Sequence, residues 1–182
     1  NYTAEMTGYH AVSLMADAIS KNAADFDISK AKRAAIRSAI YNPDSICASP
    51  RISNILSPIS KKYKNELGFI PWDVELESVA KGLEYAYDDY CVSVIAEAAG
   101  DTATAKEYLE KSKAYRQYFD PETRFMRGKD INGKWHEPFN PRSSNHRADD
   151  YCEGTAWQWT WYTPHDVAGL IELMGGKEPF VQ

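Results

Sequence analysis

Cysteine is scarce in this sequence and poorly placed for chemistry. Its three residues, Cys47, Cys91 and Cys152, form neither a CxxC pair nor a metal-ligand spacing, and their odd number leaves at least one thiol unpaired. No disulfide framework or zinc site follows from them, and they leave the compartment open. Positive charge is also short. Lys and Arg number 21 against 26 Asp and Glu, a formal net charge of -5, with the basic residues scattered among the acids. Nothing resembles a stripe that would neutralise phosphates, so nucleic acid is not expected as a partner. No apolar run is long enough to cross a bilayer, and no membrane-spanning segment is expected. The sequence contains no phosphate-binding loop, dinucleotide fingerprint, HExxH, GxSxG or EF-hand loop, which removes most phosphate and nicotinamide chemistry from consideration. Its first residues show neither an initiating methionine nor a charged-then-apolar leader. The chain reads as a piece of something longer.

What the sequence does hold is helix. With 182 residues, 43% of them hydrophobic, it can bury one substantial core, and one helical unit is expected over residues 1–182. Val12, Met15, Ala16 and Ile19 recur at helical spacing between Tyr9 and Ala23. Asp27 or Ser29 is placed to cap a second helix whose small face, Ala31, Ala34, Ala35, Ser38 and Ala39, permits close approach before Asn42-Pro43 stops it. Residues 43–73 carry Pro43, Pro50, Pro58 and Pro71 and read as a long connection with one short helix. There Lys61, Lys62 and Lys64 read as a solvated face. The longest periodic stretch runs from Asp73 to Ala99, with Val79, Leu83, Ala86, Tyr87, Tyr90, Val94 and Ile95 as a wide apolar stripe. Asp88 lies on its margin, to meet Glu153 across a cleft or simply to pair. Gly100 then turns the chain into a further helix, capped by Asp101 and reaching about Tyr118, an αα-hairpin. From Phe119 to Asp150 the helical period gives way to turn pairs, with a short β-hairpin expected between 124–127 and 134–136 across Asn132-Gly133. Arg127, His136, Arg142 and His146 are its polar candidates.

The densest chemistry follows in Tyr151 to Asp166, YCEGTAWQWTWYTPHD, which holds three of the five tryptophans. Trp157, Trp159 and Trp161 alternate as on a strand, while Glu153, Trp157 and Trp161 recur at a spacing of four as on a helix; both geometries put Glu153, Trp157 and Trp161 on one side. A glutamate set against indole rings loses solvation, which disfavours its ionised form and suits a general acid. Lysozyme's acid beside a tryptophan is the precedent for that pattern. Sugars favour the same surroundings, since their C–H faces lie on flat rings while Glu153, Gln158 and His165 can bond their hydroxyls. The competing reading makes the tryptophans ordinary core and Glu153 a buried, paired carboxylate. Pro164 marks a helix start, with Val167, Leu170, Ile171 and Met174 as the following stripe. Asp166 then either caps that helix or contacts substrate, and His165 either packs or does the same.

Six segments in order resemble the bacterial calcium-dependent α-mannosidases of glycoside hydrolase family 92, mostly α-1,2-mannosidases. They are GYHAVSLMADA from Gly8, LGFIP from Leu67, ESVAKGLEYAYDDYC from Glu77, FDPETRFMR from Phe119, EPFNP from Glu137 and CEGTAWQWTWYTPHDVAGLIELMGG from Cys152. The resemblance implies an all-α fold of antiparallel helical hairpins, part of an (α/α)6 toroid with long irregular loops, which in intact enzymes follows a β-sandwich. It implies an inverting hydrolase that removes α-linked mannose from glycans, including in N-glycan degradation, exported to the periplasm or cell surface. Glu153 matches the family's general acid, and Trp157, Gln158, Trp161, His165 and Asp166 fall on positions that line or support the sugar site. The chain departs from the motif at Thr155, where asparagine is usual. The catalytic base and the calcium ligands of the family lie on later GNEP-like and GNDD-like segments, neither present before Gln182. This stretch alone is therefore expected to hold the acid half of the site, to bind no calcium and to be inactive without the rest of the toroid and the β-sandwich. The alternative from another class is a helical carbohydrate-binding or scaffolding module that grips glycans without cleaving them.

Overall fold

The computed structural model describes residues 7–46, 48–145 and 147–181. Helix α1 spans Ala11–Ser20. Helix α2 spans Ile28–Ala39, and its N-cap is Asp27, whose carboxylate accepts the Lys30 amide at 2.9 Å. The alanine face of α2 does what its size predicts: Ala31, Ala35 and Ala39 are buried, and α2 packs on the central helix through them.

The proline-rich connection holds more helix than expected. A 3₁₀ turn at Pro43–Ser45 is followed by α3, Pro50–Leu56, and α4, Ser60–Leu67. Pro43 and Pro50 sit in the first turn of their helices, where a missing amide costs nothing. The solvated lysine face is a correction. Lys61 and Lys64 are buried, because α4 lies against the central helix, where acidic and aromatic partners await their ammonium groups.

That central helix, α5, spans Ser78–Ala98 and is buried on nearly every side. It packs against α1, α2, α4 and α6, which explains why its sequence is apolar around most of its circumference. Its start is five residues later than the periodicity suggests, because Pro71–Glu77 closes on itself in turns, with the Val74 and Glu75 amides both reaching the Pro71 carbonyl at 3.2 Å. The predicted hairpin to α6, Thr102–Lys111, is present, turned by Gly100 in the left-handed region and capped by Asp101 on the Thr104 amide at 3.1 Å. A 3₁₀ segment, Ser112–Tyr118, continues it.

Two core clusters meet on α5. One joins α1, α2 and α5 through Tyr9, Val12, Ala35, Tyr85, Val92 and Ile95. The other joins α5 to the C-terminal third through Val79, Leu83, Tyr115, Tyr118, Met126, Tyr151, Ala156 and Leu170. The only β-sheet among the described residues is a hairpin whose position corrects the expected one. Strand β1, Phe119–Asp120, pairs with β2, Phe125–Met126, across Pro121–Arg124, while Asn132-Gly133 is spanned by a single bridge, Lys129 to Trp135. Asp120 explains the choice of turn, since its carboxylate accepts from the Glu122 amide at 3.0 Å and the Thr123 hydroxyl at 2.7 Å. Short helices α7, Ala156–Trp159, α8, Val167–Leu173, and α9, Lys177–Val181, complete the chain. Pro164 lies in the turn before α8, whose N-cap is Asp166. The whole is mostly helical, as expected for part of an (α/α) toroid.

Candidate active site

The candidate site is built at the N-terminal end of α5, where residues 149–153 cross the helix start. Unpaired amides at a helix start need acceptors, and backbone carbonyls supply them: Asp149 takes the Glu77 amide at 2.8 Å, and Asp150 takes those of Val79 and Ala80 at 3.1 and 3.2 Å. The Asp150 carboxylate is buried between the Ser78 hydroxyl at 3.2 Å and His136 Nδ1 at 2.9 Å. Burial pushes its pKa up, and His136 opposes that rise. The imidazole of His136 is stacked flat on Trp72, with centroids 3.7 Å apart. Tyr151 donates its hydroxyl to the Met126 carbonyl at 2.7 Å, tying the same segment to β2.

Glu153 follows directly, in a bend, with φ +47. A left-handed backbone at a non-glycine residue is sparsely populated and persists only where its surroundings impose it. The next residue, Gly154, admits no side chain easily, since a Cβ there would come within 3.1 Å of Gln158 Oε1 and Trp159 Nε1. Helix α7 then starts on a capping box: the Thr155 side chain meets the backbone of Gln158, and Gln158 Oε1 accepts the Thr155 amide at 2.8 Å. Threonine therefore does here what asparagine also does at an N-cap, and the departure from the motif leaves the local fold intact. Gln158 spends its amide oxygen on this cap.

Both sequence geometries for Glu153 are corrected: it precedes the single turn of α7, neither on a strand nor within the helix. The expected indole shield is likewise not assembled by these residues. Glu153 is exposed, and the two flanking indoles pack edge-on against other rings, Trp157 on Phe125 at 4.9 Å and Trp161 on Phe180 at 5.3 Å. Trp157 and Trp161 nonetheless stay about half exposed, at 53% and 48%. With Phe125, Phe180, Arg124 and Met174 they line an open apolar hollow of about 180 Å³. Exposed indoles are surfaces a pyranose can use.

His165 and Asp166 are engaged internally. Asp166 accepts the Gly169 amide at 2.9 Å and the Tyr115 hydroxyl at 2.7 Å. Burial pushes its pKa up, but those two bonds outweigh it and hold the carboxyl below its usual range. His165 Nε2 lies 2.9 Å from the Ser112 carbonyl, among the rings of Tyr87, Tyr90 and Tyr115, and burial lowers its pKa. Asp88 is fully buried on the Tyr9 amide at 2.7 Å and close to His10, which is pairing and not a cleft. Arg127 is a buried tie, bonded to Asp120 at 2.7 Å, Glu137 at 2.6 Å and the His136 carbonyl at 2.8 Å. Arg142 is an exposed loop residue, and His146 lies outside the described residues.

Sequence reasoning overlooked Asp150 and Tyr162, and assigned no part in the site to Glu77 or to an inward-turned Trp159. Glu77 holds φ +59 at the α5 N-cap, and the Cys152 thiol beside it is pushed up to about 11 by burial and by that carboxylate. Adjacent Asp149-Asp150 just ahead of the tryptophan-rich stretch was the available signal. No group of three or more His, Cys, Asp or Glu among the described residues is placed to hold a metal. Three of the buried carboxylates are paired, Asp89 with Lys64, Asp120 with Arg127 and Asp150 with His136. Calcium asks for six to eight oxygens, so these residues do not fit it.

A helical layer that carries an exposed glutamate with a left-handed backbone and, four and eight residues further on, two half-exposed indoles makes a candidate carbohydrate site. The profile of the glycosyl hydrolase family 92 catalytic domain matches residues 1–182. The chain belongs to that family. It is similar to a family 92 α-mannosidase of Bacteroides thetaiotaomicron, solved in complex with mannoimidazole, with 38% identity and a TM-score of 0.82 over 96% of this chain and 22% of that one. It is also similar to a family 92 inverting mannosidase of the same species, with 35% identity and a TM-score of 0.85 over 97% of this chain and 22% of that one. Among curated proteins it is 26% identical over 200 residues to an uncharacterized secreted glycosidase of Arthroderma benhamiae, covering 96% of this chain and 25% of that protein. The chain thus spans about a quarter or less of the length of these relatives. No helix among the described residues is long and apolar enough to cross a membrane.

Proposed function

We propose that this chain is the acid-bearing part of an exported glycosidase that removes α-linked mannose, of α-1,2 type, from glycans with inversion. The observation that carries the proposal is Glu153, an exposed glutamate with φ +47 that lies four and eight residues ahead of two half-exposed indoles in the chain. Backbone strain of this kind collects at functional positions, and the family match and the mannosidase relatives supply the substrate class.

In the proposed reaction the Glu153 carboxyl gives its proton to the glycosidic oxygen as the bond to the anomeric carbon breaks. Water attacks that carbon from the opposite face and surrenders a proton to a second carboxylate, which an inverting geometry places roughly 6.5–9.5 Å from the first. That base, the calcium and the desolvation of Glu153 would be supplied by other parts of a longer polypeptide. Trp157 and Trp161 offer stacking surfaces for the sugar, and Gln158 its remaining amide group. His165 and Asp166 support the site through their internal contacts. The relative described as secreted favours a periplasmic or cell-surface location.

In the full-length enzyme, Glu153→Gln should lower turnover of α-1,2-mannobiose by about 10²–10⁴, the usual contribution of a general acid. Near-normal turnover refutes the assignment. The half-exposed indoles also favour a second reading, a module that binds glycans without cleaving them. It predicts no hydrolysis by the full-length protein and calorimetric mannan binding that survives Glu153→Ala.

A further inference from the structure

Something must hold Glu153 in its left-handed conformation, and a continuous chain of contacts leads to it from the central helix. Trp159 Nε1 donates to the Cys152 carbonyl at 2.9 Å, which is the carbonyl of the peptide joining Cys152 to Glu153. Its ring lies against Tyr162, with centroids 5.4 Å apart. The Tyr162 hydroxyl donates to Glu84 Oε2 at 2.6 Å, and Glu84 is buried on α5. Gly154 keeps the space open, because a Cβ there would crowd Trp159 Nε1 at 3.1 Å and Cδ1 at 3.3 Å.

Orientation of the 152–153 peptide plane sets where the Glu153 side chain leaves the backbone. An indole N–H is a single donor with no acceptor function, so its bond fixes that plane in one sense. We infer that Trp159, braced by Tyr162 on Glu84, is a positioning residue for Glu153: it aims the acid and takes no part in binding the sugar. The inference rests on the reading of Glu153 as general acid. It also separates two tryptophan roles within AWQWTW, with Trp157 and Trp161 exposed to ligand and Trp159 turned inward to the backbone.

The test exploits leaving groups. A sugar leaving group needs protonation, whereas 2,4-dinitrophenolate departs without it, so misaiming the acid slows one substrate and spares the other. In the full-length enzyme, Trp159→Phe keeps a ring and removes the donor. It should lower kcat on α-1,2-mannobiose by about tenfold to a hundredfold, the scale of a small misplacement of a catalytic group, with KM unchanged and 2,4-dinitrophenyl α-mannoside turnover within about twofold. Tyr162→Phe removes one hydroxyl and should give the same pattern at about two- to threefold. Equal loss on both substrates, or no loss on either, overturns the inference. If Trp159→Phe does not fold, Tyr162→Phe decides by the same criterion. Glu153→Gln, assayed alongside, separates the two failures: if it lacks the selective loss, the general-acid reading and this inference fall together, and if it shows that loss while neither other variant does, only this inference falls.

Discussion

Removing the ammonium of Lys64 should be among the most damaging single changes in this fold. Lys64 Nζ reaches both oxygens of Asp89, at 2.7 and 2.8 Å, and Tyr9 donates its hydroxyl to the same carboxylate at 2.6 Å. The two side chains are 3% and 1% exposed, so water cannot replace either partner. The ammonium also sits 5.8 Å from the ring centroids of Tyr9 and Tyr85. Lys64→Met keeps the aliphatic stem and leaves Asp89 buried with one hydroxyl for company. Truncating one partner of a buried pair costs about 3–5 kcal/mol. For a chain of this size each kcal/mol moves the melting midpoint by roughly 2–4 °C, so the expected fall is roughly 6–20 °C, read by chemical denaturation and calorimetry. The double variant Lys64→Met/Asp89→Leu should recover most of that loss, because the cost lies in the stranded charge and not in a missing attraction. A loss under about 1 kcal/mol for Lys64→Met, the range of exposed pairs, or a double variant worse than the single one, would refute the reasoning.

Lys61 carries an expectation about pH. Burial, with Lys64 beside it, draws its pKa down to about 8, so the unfolded chain binds more protons and stability climbs as pH rises from about 8 toward 10.5. Urea titrations should show that rise in stability across the same pH interval, and Lys61→Met should flatten it. Asp166→Ala should cost about 2–4 kcal/mol, combining a lost helix cap with a stranded Tyr115 hydroxyl. Asp166→Asn keeps one acceptor oxygen for the Gly169 amide and replaces the other with an N–H that the Tyr115 hydroxyl can accept from, and should cost about 1 kcal/mol. A loss of mannobiose turnover with unchanged stability in Asp166→Asn would show that this carboxylate meets the sugar.

The helices were legible where a local rule sufficed. Asp27 and Asp101 cap as their positions suggest, and the small face of α2 and the turn at Gly100 follow from side-chain volume and a left-handed φ. Lys61 and Lys64 were not legible, because three lysines in four residues look solvated until the acids of α5 are placed opposite them. The hairpin was misplaced for a related reason. Asn132-Gly133 is a strong turn signal, yet the Asp120 carboxylate organises residues 120–123 and Arg127 locks the return strand to it at 2.7 Å. The surroundings of Glu153 depended on backbone torsions and on Trp159 turning inward, neither of which hydrophobic periodicity encodes.

Burial sorts the carboxylates of this chain by role. Asp88, Asp89, Asp120 and Asp150 are each 8% exposed or less, and each is engaged by an amide, hydroxyl, ammonium, guanidinium or imidazole, with Asp88 Oδ1, which makes no hydrogen bond, facing His10 Nδ1 at 3.3 Å. A buried charge left unpaired would cost more than the fold could absorb, so these acids have no freedom to exchange a proton with a substrate. Glu153 inverts the pattern: its carboxylate makes no hydrogen bond or ion pair with the described residues, its backbone is strained, and the bonds around it, from Trp159 to Cys152 and from Gln158 to Thr155, hold the main chain while leaving the side chain unengaged. A general acid needs that combination of fixed origin and uncommitted oxygen. The same sorting sets Asp166 apart from Glu153, although only thirteen residues separate them in one motif: a carboxylate already accepting the Tyr115 hydroxyl and the Gly169 amide serves by holding α8 in place.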